Sequence, residues 1–386
     1  MRRFVLVAGE HSGDLLGAGL IKAIKQQHPE AVFAGIGGPL MHAEGLECWH
    51  QCDELAVMGL VEVLRHLPRL LRIRSALIGR IIKWQPDCFV GIDAPDFNLP
   101  VERKLKRRQI ATVHYVSPSI WAWRQGRAAT MGRCADRVLT LFPFEPELYR
   151  QHGVEARFVG HPLADEFPEA PDAEFHRRQL KLPVTGKLLT VMPGSRSSEV
   201  ERLGPIFARA MALIHQKQPA VLFVAPCANE NTRSSFETQV EKHAPGISMV
   251  WLDGQAREAM MASDLVLLAS GTAALEAMLA KRPMVVAYRI AHLTYWVVKA
   301  LGLLKVTRYS LPNALAGRQL VPELMQYELT PESLANKSLS MLCGEYQQAE
   351  LQAEFLRLHQ ELKRDASSLA ATAVLALVSK THDAQS

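Results

Sequence analysis

One pattern recurs along the first half of the chain. A short, unbroken apolar run is followed by a longer stretch with apolar residues at helical spacing. Phe4–Ala8 predicts a strand and Leu15–Gln27 a helix closed by Pro29. Val32–Ile36 predicts a second strand, and a long helix follows over Val61–Trp84. Cys88–Ile92, Ala111–Tyr115 and Val138–Leu141 predict three further strands with helical stretches between them. Runs that are apolar throughout suit parallel strands covered on both faces. Their strand–helix order predicts a doubly wound α/β domain over residues 1–168.

Pro168, Pro171 and Pro183 punctuate a charged stretch, Phe167–Val184, which reads as an interdomain linker. The alternation then restarts. Leu188–Met192, Val221–Ala225, Leu265–Ala269 and Met284–Tyr288 predict strands, with helices over Ser198–Gln216 and Thr272–Ala280. This predicts a second Rossmann-like domain over 185–345. Residues 346–386 read as helices that pack on the first domain or on a partner subunit. Two such domains facing a cleft are a recurrent architecture for nucleotide-sugar enzymes, an analogy that fixes no activity.

The composition is that of a globular protein, with 48% hydrophobic and 22% charged residues among 386. Apolar runs fall far short of a bilayer span, and Met1-Arg2-Arg3 leads straight into a strand rather than into a secretory leader. The six cysteines form neither a disulfide framework nor a zinc pattern, which fits a reducing cytoplasm. A net charge of +5 says little, but its distribution says more. Val63–Pro86 and Ala277–Pro322 contain no acidic residue while carrying many arginines and lysines, so an anionic partner is expected. These stretches are too apolar for nucleic-acid phosphate tracking.

Candidate chemistry gathers after the strands. Gly9-Glu10-His11-Ser12-Gly13-Asp14 lies between the first strand and its helix. Ser12 or Asp14 there either caps that helix or belongs to a site, and Glu10 stands where α/β sheets bind ligands. In Gly91-Ile92-Asp93-Ala94-Pro95-Asp96-Phe97-Asn98, Asp93 directly follows a buried strand and suits a general base. Asp96 and Asn98 either cap the next helix or join the site. The stretch from His114 to Arg124 adds two tryptophans, Trp121 and Trp123, suited either to sugar or lipid contact or to packing under a loop. In the second half, Ser195 and Arg196 of Pro193-Gly194-Ser195-Arg196 suit a diphosphate, as does the small-residue helix start at Ser270, Gly271 and Thr272. Glu276, one turn further, can accept hydrogen bonds from ribose hydroxyls. No cluster suits a metal.

Val61, Val63, Leu64, Leu67, Leu70 and Leu71 recur at helical spacing, with Arg65, Arg69 and Arg72 on another side. This is either a helix in a membrane interface or a surface helix packed on its own core, and Pro68 would kink it. Leu293–Leu304 is a second, weaker candidate for lipid contact.

These motifs, together with Ser310-Leu311-Pro312-Asn313, resemble those of the lipid-A-disaccharide synthases in order over nearly the whole chain. The resemblance implies a GT-B-type glycosyltransferase fold, inversion at the anomeric carbon, and no metal or cofactor. It implies transfer from UDP-2,3-diacylglucosamine to 2,3-diacylglucosamine 1-phosphate, at the inner face of the inner membrane. The family's presumed base corresponds to Asp93 and its other functional polar positions to Glu10, Arg196, Glu276 and Asn313. Its membrane-contacting segment corresponds to Val61–Leu71, and a homodimer is compatible with it. From the residues alone, two alternatives stay open: another UDP-N-acetylglucosamine enzyme of this fold (a 2-epimerase or a peptidoglycan glycosyltransferase), or a non-catalytic lipid-binding protein.

Overall fold

The computed structural model describes residues 1–55, 60–118, 127–290, 308–344 and 348–383, and of 60–66, 127 and 380–383 the backbone alone. Trp121, Trp123 and Leu293–Leu304 lie outside the described residues. The chain divides into two compact units, Met1–Asp165 with Glu361–Ser386, and Glu166–Gln360.

Among its described residues the first unit holds seven strands: β1 (Arg3–Ala8), β2 (Val32–Gly37), β3 (Leu46–Gln51), β4 (Cys88–Ile92), β5 (Ala111–Tyr115), β6 (Arg137–Thr140) and β7 (Ala156–Phe158). They pair in parallel in the order β3-β2-β1-β4-β5-β6-β7. The second sheet holds β8 (Leu188–Met192), β9 (Leu222–Cys227), β10 (Met249–Asp253), β11 (Leu265–Ala269), β12 (Met284–Tyr288) and β13 (Glu323–Met325). Its order is β10-β9-β8-β11-β12-β13, again parallel. In each sheet the chain leaves its first strand one way and later returns to that strand's other side. The switch points fall between β1 and β4, and between β8 and β11. Open α/β sheets bind ligands at the carboxyl ends of strands at such points.

The central strands are buried because helices cover both faces. Phe4, Leu6, Val90 and Val113 pack in one cluster with Leu20 and Ile24 of the helix His11–Gln27. Val5, Val7 and Phe89 pack in another with Leu77 and Ile81 of the helix Leu60–Trp84. The last helix, Ala366–Asp383, closes the first unit with Ala370, Val374 and Val378. Arg137, fully buried in β6, donates to the Ala373 carbonyl and pairs with Glu155 at 2.6 Å.

Two features differ from the sequence expectation. Phe167–Val184 is folded into the second unit rather than serving as a linker. Leu180 and Leu182 join a core cluster with Leu188 and Ala259, and Arg177, 6% exposed, meets Asp264 at 2.7 Å. Its charged residues therefore read as solvated when one of them is a buried strut. Pro68 also does not interrupt its helix, which runs unbroken over Leu60–Trp84. Among the described residues no helix is long and apolar enough to cross a membrane.

Candidate active site

In the second unit, the loops after β8 and β11 leave adjacent strands and enclose a cavity of about 390 Å³. It is lined by Ser195, Arg196, Ser270, Gly271, Thr272 and Glu276, so six of the seven sequence-predicted residues of this half come together. Gly194 has φ +146°, and a Cβ there would lie 2.5 Å from Cβ of Glu199, so this loop requires glycine. The helices Ser197–Lys217 and Thr272–Leu279 both begin at the cavity, presenting unpaired backbone N–H groups suited to an anion.

Glu276 is half-buried. Burial raises its carboxyl above the usual range, the Arg257 guanidinium opposes that shift, and Glu166 adds to it. Arg257 itself is held by Glu166 at 2.6 Å and by the Phe167 ring. Sequence reasoning missed Glu199, which also lines the cavity. Its carboxylate accepts from the Ser195 N–H at 3.1 Å and lies 3.6 Å from Arg196. An acid three residues past the helix N-cap was the available signal. Cys227 and Gly254, from the ends of β9 and β10, carried no such signal.

Asn313 does not line this cavity. It is 1% exposed; its Nδ2 donates to Val321 O and Glu323 Oε1, and its Oδ1 accepts from the N–H groups of Leu320 and Val321. Both amide hydrogens and both lone pairs are thus used inside the unit. Glu323 is the hub of this segment, accepting also from Tyr309 N, Ser310 N and Ser310 Oγ.

In the first unit, Glu10 and Asp93 follow β1 and β4, which pair Ala8 with Ile92 at their carboxyl ends. Glu10 is exposed at the N-cap position and makes no side-chain cap bond. Ser12 is exposed on the first turn. Asp14 caps a different helix: fully buried, it accepts from the N–H groups of Gly38, Leu40 and Met41 at the start of Pro39–Ala43. Asp93 is half-buried, with its own N–H bonded to Tyr115 O at 2.8 Å. Asp96 is exposed, whereas Asn98 is fully buried behind Asp93. Ser117 is buried and bonded to the Tyr149 hydroxyl at 2.8 Å.

On the amphipathic helix, Leu67 and Leu71 are 41% and 43% exposed, and Leu70 is half-buried. Ile73, Leu77 and Ile81 further along are core. The side chains of Val61, Val63 and Leu64 lie outside the described residues.

Comparison with known proteins agrees with this architecture. The chain is similar in fold to a UDP-GlcNAc 2-epimerase from Neisseria meningitidis bound to UDP-GlcNAc, with TM-score 0.61 and 11% identity over 98% of this chain and 100% of that one. It is equally similar to a calicheamicin glycosyltransferase, with TM-score 0.61 and 15% identity over 98% of each chain. The fold is that of GT-B glycosyltransferases and their epimerase relatives. The sequence is 53% identical to a lipid-A-disaccharide synthase of Xanthomonas campestris over 98% of this chain and 86% of the relative. It is also 53% identical to one of Alkalilimnicola ehrlichii, over 97% of this chain and 98% of the relative. The family described as lipid-A-disaccharide synthetase matches residues 4–374. With that match over nearly its whole length, the chain belongs to the lipid-A-disaccharide synthase family.

Proposed function

We propose that the protein transfers 2,3-diacylglucosamine from UDP to 2,3-diacylglucosamine 1-phosphate, giving a β-1,6-linked tetraacyl disaccharide 1-phosphate and UDP. The observation that carries this reading is the cavity at the β8/β11 switch point, where Arg196, two helix starts and Glu276 converge. Those groups match a nucleoside diphosphate: fixed N–H donors and a guanidinium for the phosphates, a carboxylate for ribose hydroxyls.

The acceptor's primary hydroxyl is far too weak an acid to ionise near neutral pH, so it needs a base. Asp93 takes that proton as the oxygen bonds to the anomeric carbon. The bond from that carbon to the diphosphate breaks, its electron pair leaving on the UDP oxygen, and attack opposite the leaving group inverts the centre. Arg196, the Ser195 hydroxyl and the N–H groups at the start of the helix Thr272–Leu279 stabilise the developing phosphate charge without requiring a metal. Glu10 orients the acceptor or stabilises positive character on the reacting sugar. Asn313 acts on the donor through the segment it braces, since its own amide is occupied.

Both substrates carry acyl chains, which calls for a lipid surface. The exposed Leu67 and Leu71, beside Arg69 and Arg72, support an interfacial role for Val61–Leu71 at the inner face of the inner membrane. The test of the catalytic assignment is Asp93→Ala. It should lower turnover on the order of 10²–10⁴-fold while leaving UDP affinity unchanged. Turnover near that of the wild type would remove Asp93 as the base.

A further inference from the structure

We infer that Asn98 is a positioning residue: its buried amide clasps the peptide after Asp93 and holds that carboxylate in its working orientation. The inference rests on the reading of Asp93 as the base.

Asp93 and Ala94 are consecutive non-glycine residues at φ +49° and +42°. L-residues avoid this region because Cβ crowds the following carbonyl, so two in a row persist only where the surroundings enforce them. With Asp93 N anchored to β5, relaxation of Asp93 to negative φ would swing its side chain out of its present direction, and relaxation of Ala94 would release the turn that holds it there.

Asn98 supplies the enforcement. Its Nδ2 lies 2.9 Å from the Asp93 carbonyl oxygen, with the carbonyls of Val7 and Ile92 at 3.3 and 3.4 Å. Its backbone N–H donates to Ala94 O at 3.0 Å, as does that of Phe97. One residue therefore grips both peptides of the kink, while Asp93 N is fixed to β5 through Tyr115 O.

The packing behind Asn98 holds it in register. Gly91 in β4 lets the helix Pro95–Lys106 close on the sheet, since a Cβ there would lie 2.2 Å from Glu102 Oε1 and 2.9 Å from Asn98 Cβ. One turn beyond Asn98, Glu102 meets His114 of β5 at 2.7 Å, with both side chains fully buried. Asn98 Oδ1 has no partner among the described residues. With the acceptor unused, the contacts this side chain makes are those of its donor, to the carbonyls of Val7, Ile92 and Asp93. Being fully buried, Asn98 has no exposed surface to offer a substrate and acts through Asp93.

The experiment compares Asn98→Ala, Asn98→Ala with Ala94→Gly, and Asp93→Asn, measuring kcat, KM for both lipid substrates and UDP affinity. Asn98→Ala should lower kcat about thirtyfold, with KM and UDP affinity within about twofold of wild type. Ala94→Gly should recover at least about fivefold of that loss, because glycine adopts φ +42° without steric cost. A purely structural role would lower the melting temperature without this rescue. Should Asn98→Ala fail to fold, Asn98→Leu keeps the branched outline without the donor and takes its place. A kcat within about threefold of wild type, or no rescue by glycine, overturns the clasp. Normal turnover in Asp93→Asn would instead remove the base assignment. Loss there with normal turnover in Asn98→Ala would remove the clasp alone.

Discussion

Gly9 and Ala94 meet so closely that a Cβ on Gly9 would lie 2.6 Å from that of Ala94. The loop that carries Glu10 and the loop that carries Asp93 are thus packed against one another with no room for a methyl group. Gly9→Ala should displace the Asp93 loop and lower kcat about tenfold or more, while UDP binding in the other unit stays unchanged. Steady-state kinetics beside UDP titration would check this. Unchanged kcat would mean that Ala94 yields without moving Asp93.

Asn313→Ala should act first on stability. It removes the acceptor of the Leu320 and Val321 N–H groups and the donor to Val321 O and Glu323. The expected cost is about 2–4 kcal/mol in chemical denaturation, with donor binding weakened as the 310–323 segment loosens. Lost turnover with unchanged stability would point instead to direct substrate contact.

Leu67→Ser with Leu71→Ser should leave the melting temperature unchanged, because both side chains are already exposed. Binding to vesicles containing anionic lipid should weaken about tenfold or more, as two leucines lose their place in the interface. Cosedimentation measures the second effect. Unfolding of the variant would assign these leucines to the core.

Glu145 gives a pH signature. It is 1% exposed, and burial pushes its carboxyl from 4.5 up to about 7 against hydrogen bonds from Phe142 N, Ser117 and Leu141 N. The folded state therefore holds this proton more tightly than the unfolded chain. That contribution is present below about pH 4.5 and is lost as pH rises through about 7. Glu145→Gln keeps an acceptor for Phe142 N and has no charge to bury. Its stability advantage over wild type should grow between pH 5 and 8, up to about 3 kcal/mol. His161, pushed down to about 4 by burial, loses its contribution in the opposite direction, as pH falls from 6.5. The difference between the two proteins cancels it. A difference flat with pH would contradict the shift.

The sequence showed the central strands and hid the edges. Cys88–Ile92, Ala111–Tyr115, Leu188–Met192, Leu265–Ala269 and Met284–Tyr288 match their expected spans because both faces of each are covered. The four unpredicted strands, β3, β7, β10 and β13, are the edge strands of the two sheets. They are half-exposed and mixed in polarity, so no apolar run marks them. Six of the cavity residues were legible for a related reason, since the loops and helix starts that carry them follow buried strands. Glu102 was not, because a buried polar residue on a helix looks from sequence like a solvated position, and the same ambiguity left Asn98 open between a cap and the site. Arg177 and Asp14 misled in the same way. Whether a polar side chain points inward depends on a partner far along the chain.

The most direct test of the account is turnover with defined substrates: UDP-2,3-diacylglucosamine with 2,3-diacylglucosamine 1-phosphate, and UDP-N-acetylglucosamine alone as control. The expected result is a β-1,6-linked disaccharide 1-phosphate formed one-for-one with UDP, and no change in the control nucleotide sugar. Epimerisation of UDP-N-acetylglucosamine, or UDP binding with no disaccharide from the acylated pair, would contradict it.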